Sequence, residues 1–302
     1  MESTPLSLAT LPLPKEKTYY QIALVVAIIF WILIVVSVVG IIYALLAALA
    51  IWLTHGLLIA RLRSESILVE EQQYPELYAT YLEVCQRLEV SPVPELYILQ
   101  AGGVLNAYAT RHAGRNFVVL YSSFLDACGP TSSQIKFLIG HELGHIQRRH
   151  LTKKMVLVPS LAVPLLGHAY YRACEATCDR FGAFAANEPE GAMRALLILG
   201  GGREAALRVE PARFALQHHS QRGFFVSWHE LISNYPTLSQ RVSNLIALEH
   251  PQYGQKTLRH PFAYVCAFLF TWRTLILLYI VFIILTALGA QVHPHPVPPA
   301  QP

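Results

Sequence analysis

The stretch QIKFLIGHELGHIQRRH at residues 134–150 decides how this chain is interpreted. Its apolar side chains recur at helical spacing, and the hydroxyl residues just before it offer N-caps. On such a helix His141 and His145 stand four apart, one above the other on the same side. Two imidazoles placed in this way can share one zinc ion, and Glu142 lies beside them to act on a metal-bound water.

This HExxH spacing is found in zinc metalloproteases, although a surface helix with solvated histidines would carry the same letters. A zinc site also needs a third protein ligand. Downstream, the segment RACEATCDRFGA at residues 172–183 places Glu175 and Asp179 four apart on a second helical pattern. Asp179 is one of only two aspartates in the chain, so this pairing is not a common coincidence. Glu175 is therefore the candidate third ligand.

HELGH followed by E-x-x-x-D resembles the integral-membrane gluzincins that include the HtpX-type membrane protease and the CaaX prenyl proteases. The resemblance extends from about residue 74 to residue 248 and includes three further segments: PELYIL at 94–99, NAYAT at 106–110 and VVLYSSFLD at 118–126. It implies one zinc per chain, held by His141, His145 and Glu175. It also implies that Glu142 is the catalytic base and that Asp179 orients a zinc histidine through its other ring nitrogen.

Three more residues enter through this resemblance. The family usually shows Thr-His-Pro followed by Arg where this chain has Asn234-Tyr235-Pro236 and Arg241. Tyr235 is the candidate replacement for the missing histidine, donating a hydrogen bond to the oxyanion, and Arg241 acts there or holds Asp179 or its helix. Asn106 lies on a strand that borders the cleft in the family, where an added substrate strand would pair. An ordinary turn or strand-end asparagine is the alternative for Asn106.

Hydrophobic residues make up 54% of the chain and charged residues only 14%, with a mean hydropathy of +0.39. This composition is too apolar for an ordinary soluble protein and predicts membrane spans. The basic residues lie largely beside apolar segments, which favours a lipid bilayer over nucleic acid as a partner. The five cysteines lack paired spacing and are typical of a reducing compartment. These cysteines favour a catalytic domain that faces the cytosol, and the resemblance to the HtpX-type protease implies a bacterial inner membrane.

The run from residue 18 to residue 60 has no charged side chain and is long enough for two spans of about 20 residues each. Lys15 and Lys17 precede it, and Arg61 and Arg63 follow it. A helical hairpin with a reversal near residues 37–40 sets all four on one side of the membrane, as the positive-inside rule favours. A single long helix is the competing interpretation, whereas a cleaved signal peptide would have a far shorter apolar region.

These features divide the chain into five parts. We expect a disordered tail over residues 1–18, a transmembrane hairpin over 19–60 and a zinc metallopeptidase domain over 61–258. A C-terminal transmembrane segment over 259–290 and a second disordered tail over 291–302 follow it. Short β-rich runs at 95–99, 104–110 and 117–120 predict a small antiparallel sheet beside the zinc helix. The predicted fold is therefore α+β: a mostly helical gluzincin domain with a small antiparallel sheet, plus transmembrane helices.

The function expected from these features is zinc-dependent hydrolysis of peptide bonds in polypeptide or membrane-protein substrates, in the manner of membrane-protein quality control. A non-hydrolytic, zinc-containing membrane adaptor that binds polypeptides is the alternative. Glu142 distinguishes the two, because a scaffold that only binds zinc needs no general base. The sequence gives no indication of oligomeric state.

Overall fold

The long apolar run near the N-terminus forms two helices, α1 (Pro14–Val36) and α2 (Val38–Glu65), in the computed structural model, which describes residues 7–254 and 257–292. Ser37 separates them with an extended backbone, and its hydroxyl accepts a hydrogen bond from the Gly40 amide at 3.0 Å, which caps α2. Within the described residues these are the two unbent helices long and apolar enough to cross a membrane, with hydropathies of 2.6 and 2.1. Membrane spans are therefore supported, and the break lies in the predicted reversal.

The expectation of a disordered tail is wrong for residues 7–18, while residues 1–6 lie outside the described residues. A short 3-10 helix covers Leu8–Thr10, Leu11 is fully buried, and α1 already begins at Pro14. Arg180 donates to the Thr10 carbonyl at 2.9 Å, which ties this segment to a helix far along the chain. Such long-range contacts have no signature in local composition, and this is why the segment looked like a tail.

The sheet has four strands: β1 (Ile67–Leu68), β2 (Glu95–Leu99), β3 (Ala107–His112) and β4 (Arg115–Tyr121). Their order across the sheet is β1-β2-β4-β3. The prediction of an antiparallel sheet is wrong in one detail, because β2 pairs parallel with β4. The loop after β2 carries the chain past the position of β4, and the β3–β4 hairpin then returns β4 into the gap. The sheet is therefore mixed and β3 is an edge strand.

The central strand β4 positions the sheet in the core. Its residues 117–120 are all buried, because one face packs on the helical core and the other on the end of α2. Ile59 and Leu62 of α2 lie in the same cluster as Tyr97 and Val119. The last turns of α2 therefore belong to the folded domain as much as to the apolar run.

Two helices that carry the candidate site, α5 (Ser133–Gln147) and α7 (Leu166–Ala186), pack at very short range. A Cβ atom at Gly140 would lie 2.3 Å from the Ala185 Cβ, and one at Gly182 would lie 2.7 Å from the Phe137 carbonyl oxygen. The two glycines thus permit a backbone approach that no larger residue allows. This approach sets the Glu175 side of α7 against the histidine face of α5.

The remaining helices surround this pair. Helix α6 (His150–Leu161) connects α5 to α7 and packs on α1, where the Trp31 indole donates to the Val156 carbonyl at 2.8 Å. The others described are α3 (Pro75–Arg87), α4 (Ser122–Cys128), α8 (Pro189–Arg208), α9 (Pro211–Ser220), α10 (Phe224–Ile232) and α11 (Leu238–Ile246).

The predicted C-terminal span is a bent pair of helices, α12 (Pro261–Leu269) and α13 (Trp272–Val292). The bend is 49°, so the pair is a broken span or a re-entrant segment by length and composition. Arg273 is buried at the bend and donates to the Asn234 side-chain oxygen at 3.0 Å. Of the predicted C-terminal tail, residues 291–292 end α13 and residues 293–302 lie outside the described residues. Overall, the predicted α+β class with a mostly helical domain is confirmed.

Candidate metal centre

The histidine pair is presented by a well-capped helix. The Ser132 hydroxyl accepts from the Ile135 amide at 3.2 Å and so begins α5. His141, Glu142 and His145 follow two turns later and are all buried, with 4–7% of their surface exposed. Their position inside the protein makes the solvated-histidine interpretation of this helix untenable.

The third candidate ligand lies directly opposite. Glu175 of α7 has one carboxylate oxygen 3.1 Å from His141 Nε2 and the other 3.5 Å from His145 Nε2. The ligand atoms of the three residues all lie within 4.8 Å of one another. Zinc bonds of about 2.0–2.1 Å in a tetrahedron separate ligand atoms by about 3.3 Å, so these contacts fit that ion. Two imidazole nitrogens and a carboxylate are also a donor set that leaves zinc one open position.

Asp179 lies one turn beyond Glu175 and contacts the far side of the first histidine. Its Oδ1 is 3.0 Å from His141 Nδ1. A proton on Nδ1 donated to this carboxylate leaves His141 Nε2, which faces Glu175, free to bind a metal. Burial alone would lower the pKa of His141, but hydrogen bonds to Asp179 and Glu175 raise it to about 10. The pocket therefore favours positive charge at the point where a cation would lie.

Arg241 contacts Asp179 through a two-pronged ion pair. Its Nε donates to Asp179 Oδ2 at 2.9 Å and its Nη2 donates to Oδ1 at 2.6 Å. Burial would raise the pKa of the Asp179 carboxyl, but the charge of Arg241 and the hydrogen bonds from His141 and Arg241 outweigh it and lower that pKa. Of the roles left open for Arg241, the geometry corresponds to holding Asp179.

Tyr235 lies in the segment between α10 and α11, and 56% of its surface is exposed. The charge of Glu175, then burial, then the charge of Glu142 raise the pKa of its phenol, so the hydroxyl stays protonated and able to donate. The preceding residues are firmly held: Arg172 donates to the Ser233 carbonyl at 2.7 Å, and His168 Nδ1 lies 2.9 Å from Asn234 Oδ1. Tyr235 is thus an accessible donor on an anchored segment near the candidate ligands.

Asn106 precedes the edge strand β3 and is exposed. Its backbone carbonyl accepts from the Tyr121 amide at 3.0 Å, which extends the pairing of β3 and β4 by one residue. This contact fits a strand-end residue, the alternative left open by the sequence. Within the described part of the chain, no hydrogen bond joins its side chain to the metal-centre residues.

Two buried side chains beside the centre were not singled out from the sequence. His145 Nδ1 lies 3.0 Å from His150 Nδ1, and His150 Nε2 lies 3.2 Å from Glu16 Oε1. A third histidine five residues after His145 is visible in the sequence and could have drawn attention. Glu16 had no such signal, because it lies in what looked like a polar tail.

A buried cluster of two histidines and a glutamate, on a helical domain that also carries apolar helices, fits the metal site expected from the sequence. Residues 71–169 match the model of peptidase family M48, a segment that includes the HELGH motif but ends before Glu175. Over this segment the match confirms the resemblance to HtpX-type zinc metallopeptidases that the sequence predicts.

Two relatives support this assignment. The plastoglobule-localized metallopeptidase 48 of Arabidopsis thaliana chloroplasts is 29% identical over 153 residues, covering 45% of this chain and 43% of that protein. A protease HtpX homolog of Thermodesulfovibrio yellowstonii is 28% identical over 139 residues, covering 44% of this chain and 46% of that protein. The chain thus spans about half the length of the curated relatives it matches. No solved structure matches it.

Proposed function

We propose that the chain is a membrane-anchored, zinc-dependent endopeptidase that hydrolyses peptide bonds in polypeptide or membrane-protein substrates, in a role such as membrane-protein quality control. The observation that carries the proposal is the buried convergence of His141, His145 and Glu175, with Glu142 on the same helix as the histidines. A purely structural zinc site would be closed by a fourth protein ligand rather than accompanied by a carboxylate base.

The chain's own residues supply the remaining chemistry. His141, His145 and Glu175 would hold one zinc ion, which when bound lowers the pKa of a water molecule towards about 7 and polarises the substrate carbonyl. Glu142 takes the proton of the attacking water and later gives it to the leaving amine. Asp179 fixes the orientation of His141, and Arg241 holds Asp179 in place.

Tyr235 completes the proposed site by donating a hydrogen bond to the oxyanion of the transition state. Its exposed position, directly after residues that are anchored by Arg172 and His168, supports this role. Loss of one oxyanion donor typically lowers kcat by about 10²–10³-fold. Tyr235→Phe should therefore lower kcat by such a factor with little change in KM or zinc content, and an unchanged kcat would remove Tyr235 from the mechanism.

The proposed topology is a helical hairpin over residues 19–60 with the metallopeptidase domain of residues 61–258 on the cytosolic side of a bacterial inner membrane, followed by the segment 259–290. The placement of Lys15, Lys17, Arg61 and Arg63 supports it. It is also supported by contacts at both ends of the apolar run, since the start of α1 and the end of α2 pack on the same domain.

The decisive test separates metal binding from chemistry. Glu142→Gln preserves side-chain size and leaves the three proposed ligands untouched, so zinc content and unfolding temperature should match those of the wild type. Cleavage of a casein-type or membrane-protein substrate should fall by at least about 10²–10⁴-fold, because the base is removed. Glu83→Gln is a matched control, since Glu83 pairs with Lys136 of α5 on the surface, away from the centre.

Asp179→Asn should have a milder effect, since loss of a carboxylate that supports a metal ligand typically lowers affinity or activity by about 10–100-fold. Full cleavage by Glu142→Gln would show that Glu142 is not the base. A wild type that binds zinc and polypeptides without cleaving them would instead support the non-hydrolytic adaptor.

A further inference from the structure

A row of buried polar side chains extends from the second histidine ligand away from the candidate metal position. His145 Nδ1 lies 3.0 Å from His150 Nδ1, and His150 Nε2 lies 3.2 Å from Glu16 Oε1. None of the three has more than 7% of its surface exposed. Polar groups buried to this extent require partners, and in this row the two histidines each contact the next group.

The proton positions along the row follow from one assumption, that His145 binds metal through Nε2, the nitrogen that faces Glu175. Nδ1 of His145 then carries the ring proton and donates a hydrogen bond to His150 Nδ1. The proton of the neutral His150 must consequently be on Nε2, and Nε2 donates a hydrogen bond to the Glu16 carboxylate. Every nitrogen has one role, and the chain of hydrogen bonds ends on a negative charge.

Glu16 is held in place as an ionised carboxylate. Arg148 donates to its Oε1 at 3.2 Å, and the Lys153 ammonium lies 3.9 Å from the same oxygen. The residue also lies in the first turn of α1, where the partial positive charge of a helix N-terminus favours an anion. A carboxylate with 1% exposure and these partners is a fixed anchor rather than a mobile surface group.

We propose that Glu16 is a positioning residue for the metal centre, acting through His150 on the ligand His145, so that helix α1 completes the site. Each histidine ligand would then be backed by a carboxylate: His141 directly by Asp179, and His145 through an intervening imidazole. This inference rests on the proposed zinc site and adds a residue from the N-terminal apolar helix to it.

A second metal ion is the rival explanation for the same cluster. The ligand atoms of His145, His150 and Cys178 also lie within 4.8 Å of one another. That ion would require His145 to bind metals through both of its nitrogens, whereas the hydrogen-bonded row needs only neutral imidazoles. Two zinc ions in the wild type, falling to one in Cys178→Ala, would overturn the proposal, and one zinc in both proteins supports it.

The main experiment measures zinc affinity by competition with a chelator, using the full-length protein in detergent. His150→Phe keeps a ring and removes both nitrogens, so zinc binding should weaken by about 10–100-fold. Glu16→Gln should weaken it towards the lower end of that range, about 10-fold, because a neutral amide orients His150 less strongly. The double variant should bind zinc no more weakly than His150→Phe, since both substitutions interrupt one row.

Glu230→Gln is the matched control. Glu230 is equally buried, with 1% exposure, and it pairs with Arg222 and Arg259 at 2.9 Å each. Its substitution should lower the unfolding temperature of the metal-free protein without changing the zinc dissociation constant. A purely structural role for Glu16 would give that same pattern.

The proposal is refuted if Glu16→Gln binds zinc as tightly as the wild type, or if the effects of Glu16→Gln and His150→Phe multiply in the double variant. Should Glu16→Gln fail to fold, Glu16→Asp keeps the charge on a shorter side chain and gives the same test, with weakened zinc binding expected. A wild type that binds no zinc, or full zinc retention in Glu175→Ala, would refute the proposed zinc site instead.

Discussion

Substitution of Arg241 by methionine would leave the buried Asp179 carboxylate without its cationic partner. Asp179 has 2% of its side chain exposed, and it would retain the hydrogen bond from His141, whose raised pKa leaves it positively charged in the metal-free protein. Methionine fills much of the space of the arginine stem, so the change isolates the loss of charge from the loss of packing.

The expected loss of stability is large. Breaking a buried ion pair by removing one partner typically costs about 3–5 kcal/mol, because an uncompensated charge remains in the interior. The hydrogen bond and positive charge of His141, which still face Asp179, should limit the loss to the lower end of that range. At about 2–4 °C per kcal/mol, the unfolding temperature should fall by roughly 6–12 °C.

Thermal unfolding of the metal-free protein in detergent provides the assay. Combining Asp179→Asn with Arg241→Met removes the stranded charge, so the double variant should unfold at a higher temperature than Arg241→Met alone. If Arg241→Met unfolds within a degree or two of the wild type while its cleavage rate falls sharply, the reasoning is refuted. Arg241 would then act on the substrate rather than on Asp179.

Three further predictions concern ligation, topology and helix packing. Metal analysis should find one zinc per wild-type chain, and Glu175→Ala should weaken zinc binding by several kcal/mol, because the site loses one of its three protein ligands. Single cysteines introduced at Thr10 and Glu70 in a cysteine-free background should be labelled from the same side of the membrane, and labelling from opposite sides would replace the hairpin with a single span. Gly140→Ala should lower stability by about 1–3 kcal/mol, because its Cβ would lie 2.3 Å from a side-chain carbon of α7, whereas Gly223→Ala, where nothing lies within 4 Å, should have little effect.

The parts of the site that lie within one helix were accessible to sequence reasoning. His141, Glu142 and His145 share a face of α5 by spacing alone, and Glu175 and Asp179 share a face of α7 by the same rule. That the two faces meet depends on how the helices pack, which spacing does not reveal. The family pattern supplied that step.

The errors have the same physical origin. Each β-rich run near the sheet was recognisable locally, but the direction of β2 relative to β4 depends on where a loop carries the chain. The two roles considered for Arg241 could not be separated for a related reason, since Asp179 lies 62 positions away. Local pattern predicts an element, whereas pairing between distant elements is set by the energy of the whole core.

Glu16 is the extreme case, because it meets His150 across 134 positions of sequence. By composition, a boundary near residue 60 separates the apolar N-terminal region from the metallopeptidase domain. The row of hydrogen bonds from Glu16 to His145 joins residues on both sides of that boundary. In the proposed site, the row of hydrogen bonds behind the candidate ligand His145 is complete only when α1 is packed against α6 and α7. If the proposal holds, zinc affinity should respond to the packing of α1 as well as to the ligands, and a disturbance of this apolar helix should weaken zinc binding without changing a ligand.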